Sequence, residues 1–328
     1  MERIIMDVDP GIDDSLAIIF ALFSPELMIE GLTVVSGNIE VEQATINALK
    51  AVEMSGKEVK VYKGEALPLE KNYIDATDTH GEDGIGGNFF TKPNLNYESK
   101  HAIDFILSKI STHPNEITIL ALGPLTNIAK AIQKDPETMR KVKRIVLMGG
   151  SALFHGNCSP VAEYNFWVDP HAAKIVFASE IEIMMVGLDV THHIIFTPHL
   201  REIVRQLKTP LSNYIYDITQ FYVDFHWKQE RTIGCVINDP LAVGVLIDPD
   251  LVQTVPAFVD IETDGIAIGQ SVVDFYGKRN HGKCNTQVCM QVNPKAFFQL
   301  FLHRLFPDFQ KQLEIGIHKH HWAEGGRK

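Results

Sequence analysis

The stretch Asp7-Val8-Asp9-Pro10-Gly11-Ile12-Asp13-Asp14 places four carboxylates within eight residues. Ile4 to Val8 reads as a strand, so period-two alternation turns Asp7 and Asp9 to one side at its carboxyl end. Pro10-Gly11 makes a turn, and Asp13 and Asp14 enter the first turn of a helix. A helix N-terminus favours an acid by roughly 0.3–1 kcal/mol, enough to cap with any single Asp but not to offset several crowded like charges. A cation does offset them. An all-oxygen donor set suits a hard ion, and Ca2+ fits best because it accepts irregular coordination by carboxylates and backbone carbonyls. Mg2+ ranks second, since it leans more on substrate phosphates.

The elements that position these acids follow from the hydrophobic pattern. Apolar runs at Ile4 to Val8, Ile29 to Val35, Ile117 to Leu122, Ile145 to Met148 and Ile183 to Val186 read as buried parallel strands. Between them Ser15 to Phe23, Val41 to Met54, Ala102 to Ile110, Thr126 to Gln133 and His171 to Phe177 carry apolar residues three and four apart, the spacing of crossover helices. The fold class is α/β: a single open, mostly parallel, Rossmann-like sheet with helices on both faces. After about Asp260, Ile266 to Phe275 and Thr286 to Val292 suit antiparallel strands, so a small antiparallel appendage is expected before a last helix from Pro294. One domain is expected over 1–315, with 316–328, which includes His318-Lys319-His320-His321, a solvated tail rather than a metal site.

Open parallel sheets bind ligands at the carboxyl ends of their strands. Polar segments gather there: Ser36-Gly37-Asn38, Leu122-Gly123-Pro124-Leu125-Thr126-Asn127, Gly149-Gly150 leading to Asn157, Glu163-Tyr164-Asn165, and Asn238-Asp239-Pro240, where Asp239 is able to complete an ion's shell. The long Gly-rich segment Glu65 to Asn96, with His80-Gly81-Glu82-Asp83-Gly84, is either a functional loop or disordered.

Composition narrows the partners. With 30 basic against 41 acidic residues the formal charge is −11, which repels nucleic-acid backbones and anionic membrane surfaces. No run of 18 apolar residues and no signal-peptide pattern is present, so a cytoplasmic location is expected. Cys158, Cys235, Cys284 and Cys289 form no Cys-x-x-Cys pair and read as buried, reduced thiols.

Asp-x-Asp-Pro-Gly-x-Asp-Asp at 7–14, followed in order by Ser36-Gly37-Asn38, His80-Gly81-Glu82, Gly123-Pro124-Leu125-Thr126-Asn127, Leu147-Met148-Gly149-Gly150, Gly156-Asn157, Ala162-Glu163-Tyr164-Asn165 and Gly187-Leu188-Asp189-Val190-Thr191, closely resembles the nucleoside hydrolase family, its inosine–uridine-preferring and bacterial ribonucleoside hydrolase members included. The resemblance spans nearly the whole chain. It implies Ca2+-dependent hydrolysis of the N-glycosidic bond of ribonucleosides, purine, pyrimidine or both, in nucleoside salvage, by a homotetramer or homodimer. By the same resemblance Asp9, Asp14, Asp239 and the Leu122 carbonyl hold the calcium, which also holds the attacking water and ribose hydroxyls. Asp9 is the general base; Asp13, Asn157, Glu163 and Asn165 grip the ribose; Asn38 supports the acidic cluster; and His80 lies near the base.

The chain departs from the pattern at one position. Many inosine–uridine-type members carry His immediately before the residue matching Asp239, and this chain carries Asn238. Asn donates a hydrogen bond but transfers no proton near neutral pH, so leaving-group activation must differ. His226 is the preferred substitute acid, with Tyr164, Tyr222 and Trp227 as stacking or hydrogen-bonding partners of the base. The plainer alternative makes Tyr222, Phe225 and Trp227 helix core and His226 a surface residue. His192 and His193 read as structural. Two other functions stand beside hydrolysis: a nucleoside-binding protein or degenerate hydrolase impaired by Asn238, and an aspartyl-nucleophile phosphatase, which also opens with Asp-x-Asp. The phosphatase fits less well. Gly11-Ile12-Asp13-Asp14 lacks the Thr usual two positions after the second Asp, and no clear phosphate cradle is present.

Overall fold

The structure is a computed structural model that describes residues 1–320 and 322. Its strands are β1 (Glu2–Val8), β2 (Leu27–Val34), β3 (Val61–Lys63), β4 (Ile117–Ala121), β5 (Arg144–Met148), β6 (Ile183–Val186), β7 (Ile195–Phe196), β8 (Cys235–Val236), β9 (Val252–Ile261), β10 (Ser271–Asp274) and β11 (Thr286–Val292). Among the described residues nine strands form one sheet, β10-β9-β11-β6-β5-β4-β1-β2-β3, and β7 pairs with β8 in a small antiparallel sheet. β1 through β6 run parallel, and the apolar stretches of β1, β4, β5 and β6 suit strands covered on both faces.

Alternation along β1 feeds two cores. Ile4, Met6 and Val8 enter one, beneath the helices Ile12–Leu22, Val41–Ser55, Asp239–Ile247 and Pro294–Leu305. Ile5 enters the other, beneath Ala102–Thr112, Thr126–Lys134 and Pro170–Phe177. Phe20 packs edge-on against Phe301 with ring centroids 5.2 Å apart. Each such buried side chain is worth about 1.5–3 kcal/mol. The helix Pro294–Leu305 thereby fixes the helix whose first turn carries Asp13 and Asp14.

Sequence order reverses at β1: β2 and β3 lie on one side, β4, β5 and β6 on the other. The crevice beyond the ends of β1 and β4 is thus the topological switch point, where open α/β sheets bind ligands. Asp9 follows β1 and Leu122 follows β4, so the fold brings them to the same edge.

The antiparallel part continues the main sheet. β11 pairs parallel with β6 and antiparallel with β9, and β10 closes that end. β9 begins at Val252, ahead of the Asp260 boundary read from the pattern. Ile266 lies in a 3-10 turn, Gly265–Ala267, and is fully exposed, so only Ser271–Asp274 of the expected Ile266 to Phe275 strand pairs. Cys235 and Cys289 are buried as expected, whereas Cys158 and Cys284 are exposed because they lie in loops. Of the segment expected as a tail, residues 316–319 complete the helix Gln310–Lys319, because Leu313 and Ile317, one turn apart, both pack inward. Residues 321 and 323–328 lie outside the described residues. No helix among the described residues is long and apolar enough to cross a membrane.

Candidate active site

The four acids of the opening motif separate into two roles. Asp7 Oδ1 accepts from Thr33 Oγ1 at 2.5 Å and from Asn127 Nδ2 at 2.8 Å, tying β1 to β2 and to the helix after β4. Asp7 is therefore bound into the sheet edge through Oδ1, while its buried Oδ2 has no partner. Burial pushes its pKa up to about 7 even though these two hydrogen bonds oppose the rise.

Asp9, Asp13, Asp14 and Asp239 make up the other group, all buried. One carboxylate oxygen from each of Asp13, Asp14 and Asp239 lies within 4.8 Å of the others, and Asp9 adds its charge from beside Asp14. Asp14 is held by the backbone N–H groups of Asp9 (3.2 Å) and Gly11 (3.1 Å) and by Asn38 Nδ2 (3.1 Å). Asp9 Oδ2 accepts from the Asn38 backbone at 2.8 Å, while its Oδ1 has no partner. Two glycines make room for it: a Cβ at Gly37 would stand 2.0 Å from Asp9 Oδ2, and one at Gly123 would stand 2.5 Å from Oδ1.

The electrostatics follow. Burial first, then Asp14 and Asp13, push Asp9 well up; burial and Asp13 raise Asp14 to about 6; burial and then Asp13, Asp14 and Asp9 raise Asp239. Among the described residues no Lys, Arg or His forms an ion pair with any of the four. Clustered carboxylate oxygens, an orphaned Asp9 Oδ1 and no countercharge fit a hard divalent cation. The Leu122 carbonyl accepts Asn165 Nδ2 at 2.7 Å and retains a second lone pair.

Above this floor opens a cavity of about 510 Å³. Asp13, Asn38, His80, Leu122, Asn157, Glu163, Tyr164, Asn165, Tyr222, His226, Asn238 and Asp239 all line it, whereas Asp9 and Asp14 lie outside its lining. Glu163 caps the helix Tyr164–Val168, accepting from the N–H groups of Asn165 (2.9 Å), Gly150 (3.0 Å) and Phe166 (3.3 Å). Burial outweighs those bonds and lifts it to about 7. Asn157 Oδ1 accepts from Tyr164 N at 3.0 Å, and the Tyr164 hydroxyl donates to the Gly37 carbonyl at 2.6 Å, which directs the phenol into the wall.

The loop expected around Glu65 to Asn96 contributes Ile74 to Ala76 and Asp78 to His80 to the cavity. His80 Nδ1 accepts the Ile12 N–H at 3.0 Å, so a neutral His80 carries its proton on Nε2, and burial keeps its pKa below the usual value. On the helix Pro210–Glu230, Tyr222, His226 and Glu230 stand four residues apart and share the face toward the cavity. His226 Nδ1 donates to the Tyr222 carbonyl at 2.8 Å, leaving Nε2 as the free nitrogen. Trp227 points elsewhere and is 50% exposed. Sequence reasoning missed Glu230, Gln229 and His155, and His192, read as structural, lines the same wall. The four-residue step from Tyr222 to His226, repeated once more, was the available signal for Glu230.

A doubly wound sheet with buried carboxylates at its switch point and a cavity ringed by amides, acids and imidazoles is the architecture of an α/β enzyme that binds a small polar ligand at the strand ends. The sequence model of the inosine-uridine preferring nucleoside hydrolases matches residues 4–299. The chain is 39% identical over 275 residues to the probable uridine nucleosidase 1 of Oryza sativa subsp. japonica, covering 83% of this chain and 85% of that one. It is 38% identical over 308 residues to the inosine-uridine preferring nucleoside hydrolase of Leishmania major, covering 92% and 97%. The solved purine-preferring ribonucleoside hydrolase from Gardnerella vaginalis superposes with a TM-score of 0.88 at 34% identity, covering 96% of this chain and 100% of that one. The chain belongs to the inosine-uridine preferring nucleoside hydrolase family, and it is an N-ribosyl hydrolase of ribonucleosides.

Proposed function

We propose that the protein splits the N-glycosidic bond of purine and pyrimidine ribonucleosides with Asp9 as general base, at a Ca2+ site formed by Asp9, Asp14, Asp239 and the Leu122 carbonyl. The unpartnered Asp9 Oδ1 carries the reading: it is a buried acceptor kept free at the one edge where both motif and sheet topology direct a ligand. The relatives support breadth, since their names refer to uridine, inosine-uridine and purine substrates. When bound, Ca2+ would supply positive charge that holds water and ribose hydroxyls and eases loss of the water proton.

Asp9 Oδ1 accepts that proton as the water oxygen bonds to the anomeric carbon and the carbon–nitrogen bond breaks. Asp13, Asn157, Glu163 and Asn165 hold the ribose hydroxyls. Asn165 offers Oδ1, because its Nδ2 is committed to the Leu122 and Met148 carbonyls. The buried carboxylates favour the positive charge that develops on the sugar ring. The electron pair leaves with the base, which takes a proton from His226 Nε2. Nε2 carries that proton only in the imidazolium; burial lowers the His226 pKa, so the cation is a stronger acid but a less populated form, and transfer to the base draws on it as pH falls.

Ribose release from inosine, adenosine, uridine and cytidine tests this. Release in Ca2+, loss after chelation and a fall of about 100-fold or more in Asp9→Ala are expected. Chelation-insensitive turnover, or full activity in Asp9→Ala, overturns the site. Unchanged purine and pyrimidine turnover in His226→Ala removes His226 as the acid.

A further inference from the structure

Between Gly149 and Asn157 the chain leaves β5 and crosses the cavity rim without regular helix or strand. Such a segment holds its place only if its backbone groups are satisfied from outside. Asp189, in the short helix Leu188–Thr191 after β6, satisfies three of them with one buried carboxylate. Its Oδ2 accepts from Ala152 N at 2.6 Å, and its Oδ1 from Leu153 N at 2.7 Å and Phe154 N at 3.0 Å. Three consecutive N–H groups turned on one anion form a backbone nest, here filled by the protein itself.

Neighbouring contacts extend the anchorage in both directions. Ser151 N donates to Ser271 Oγ at 2.8 Å, and Gly150 N donates to Glu163. Leu188 N donates to the Gly150 carbonyl at 2.9 Å, binding the β6 loop to the β5 loop. The next residues on the β5 loop, His155, Gly156 and Asn157, line the cavity. Three residues beyond Asp189, His192 lines it too, its ring 4.6 Å from that of Phe154.

We propose that Asp189 is a positioning residue of the active site: its carboxylate holds the amides of residues 152–154 and so sets where His155, Asn157 and His192 meet the ribonucleoside. Asp189 does not line the cavity, so it acts through the loop. The inference rests on the hydrolase reading above only in taking Asn157 as a ribose contact.

Asp189→Asn tests it, because the variant keeps the shape but turns an NH2 group toward amides that can only donate. Faster amide hydrogen exchange confined to residues 152–157 is expected, together with a KM for uridine or inosine raised about tenfold while kcat stays within about threefold. Asp189→Glu, which keeps the charge one methylene further out, should recover part of both effects and carries the same readouts if the Asn variant does not fold. Unchanged exchange at 152–154, or unchanged KM, overturns the proposal. A wild-type enzyme that releases no ribose from any nucleoside would instead overturn the reaction assigned above, and the exchange measurement would still decide the role of Asp189.

Discussion

Asn238 grips Asp13: its side-chain Nδ2 donates to Asp13 Oδ2 at 3.2 Å and its backbone N–H reaches the same oxygen at 3.3 Å. The Tyr222 hydroxyl donates to that oxygen as well, at 3.3 Å, so three donors aim Asp13 at the cavity. The residue that departs from the family pattern thus supports Asp13, the group proposed above to hold the ribose, while His226 lines the same cavity as Tyr222.

Asn238→Ala should therefore weaken hold on the sugar. A hydrogen bond to a charged group is worth roughly 1.5–3 kcal/mol, so kcat/KM is expected to fall by about 10- to 100-fold. Asn238→Asp places a second carboxylate against Asp13 and should fall further. Steady-state kinetics on uridine and inosine check the order; an Asp variant more active than the Ala variant contradicts it.

Gly37→Ala and Gly123→Ala should each cut turnover by about 100-fold without unfolding the chain. The new methyl would meet the Asp9 carboxylate at 2.0 Å and 2.5 Å respectively, closer than real Cβ contacts come. The buried carboxylate has to shift, and a misplacement of about 1 Å costs on the order of 100-fold. Ribose release and circular dichroism together check this, with wild-type activity in either variant the contrary outcome.

Glu30 on β2 should make stability depend on acid pH. It accepts from Arg3 and, at 2.7 Å, from Lys109. Burial alone would raise its pKa, but Lys109 and Arg3 outweigh burial and leave it below the usual 4.5. The carboxylate is thus favoured in the folded state, so its contribution is complete above about 4.5 and is lost as pH falls through the lower folded value. Glu30→Gln should lower Tm at pH 7, with the difference shrinking below pH 4.5. A difference that stays constant down to pH 3 would exclude this linkage.

The sequence by itself determined the alternation of buried parallel strands and crossover helices and marked the strand end at Asp7 to Asp14 as the place where carboxylates crowd. Alternating apolar runs and three-to-four spacing are local consequences of backbone geometry, and the strand–turn–helix at Asp7 to Asp14 gathers four carboxylates among adjacent residues. Only tertiary structure separated Asp7, which Thr33 and Asn127 bind into the sheet, from Asp14, which converges with Asp13 and Asp239. Tertiary structure also made Asn238 a support for Asp13, put Glu230 and His192 on one wall and joined Asp189 to the β5 loop. No local pattern encodes those pairings, because each depends on which strands lie side by side and on side chains meeting from distant parts of the chain.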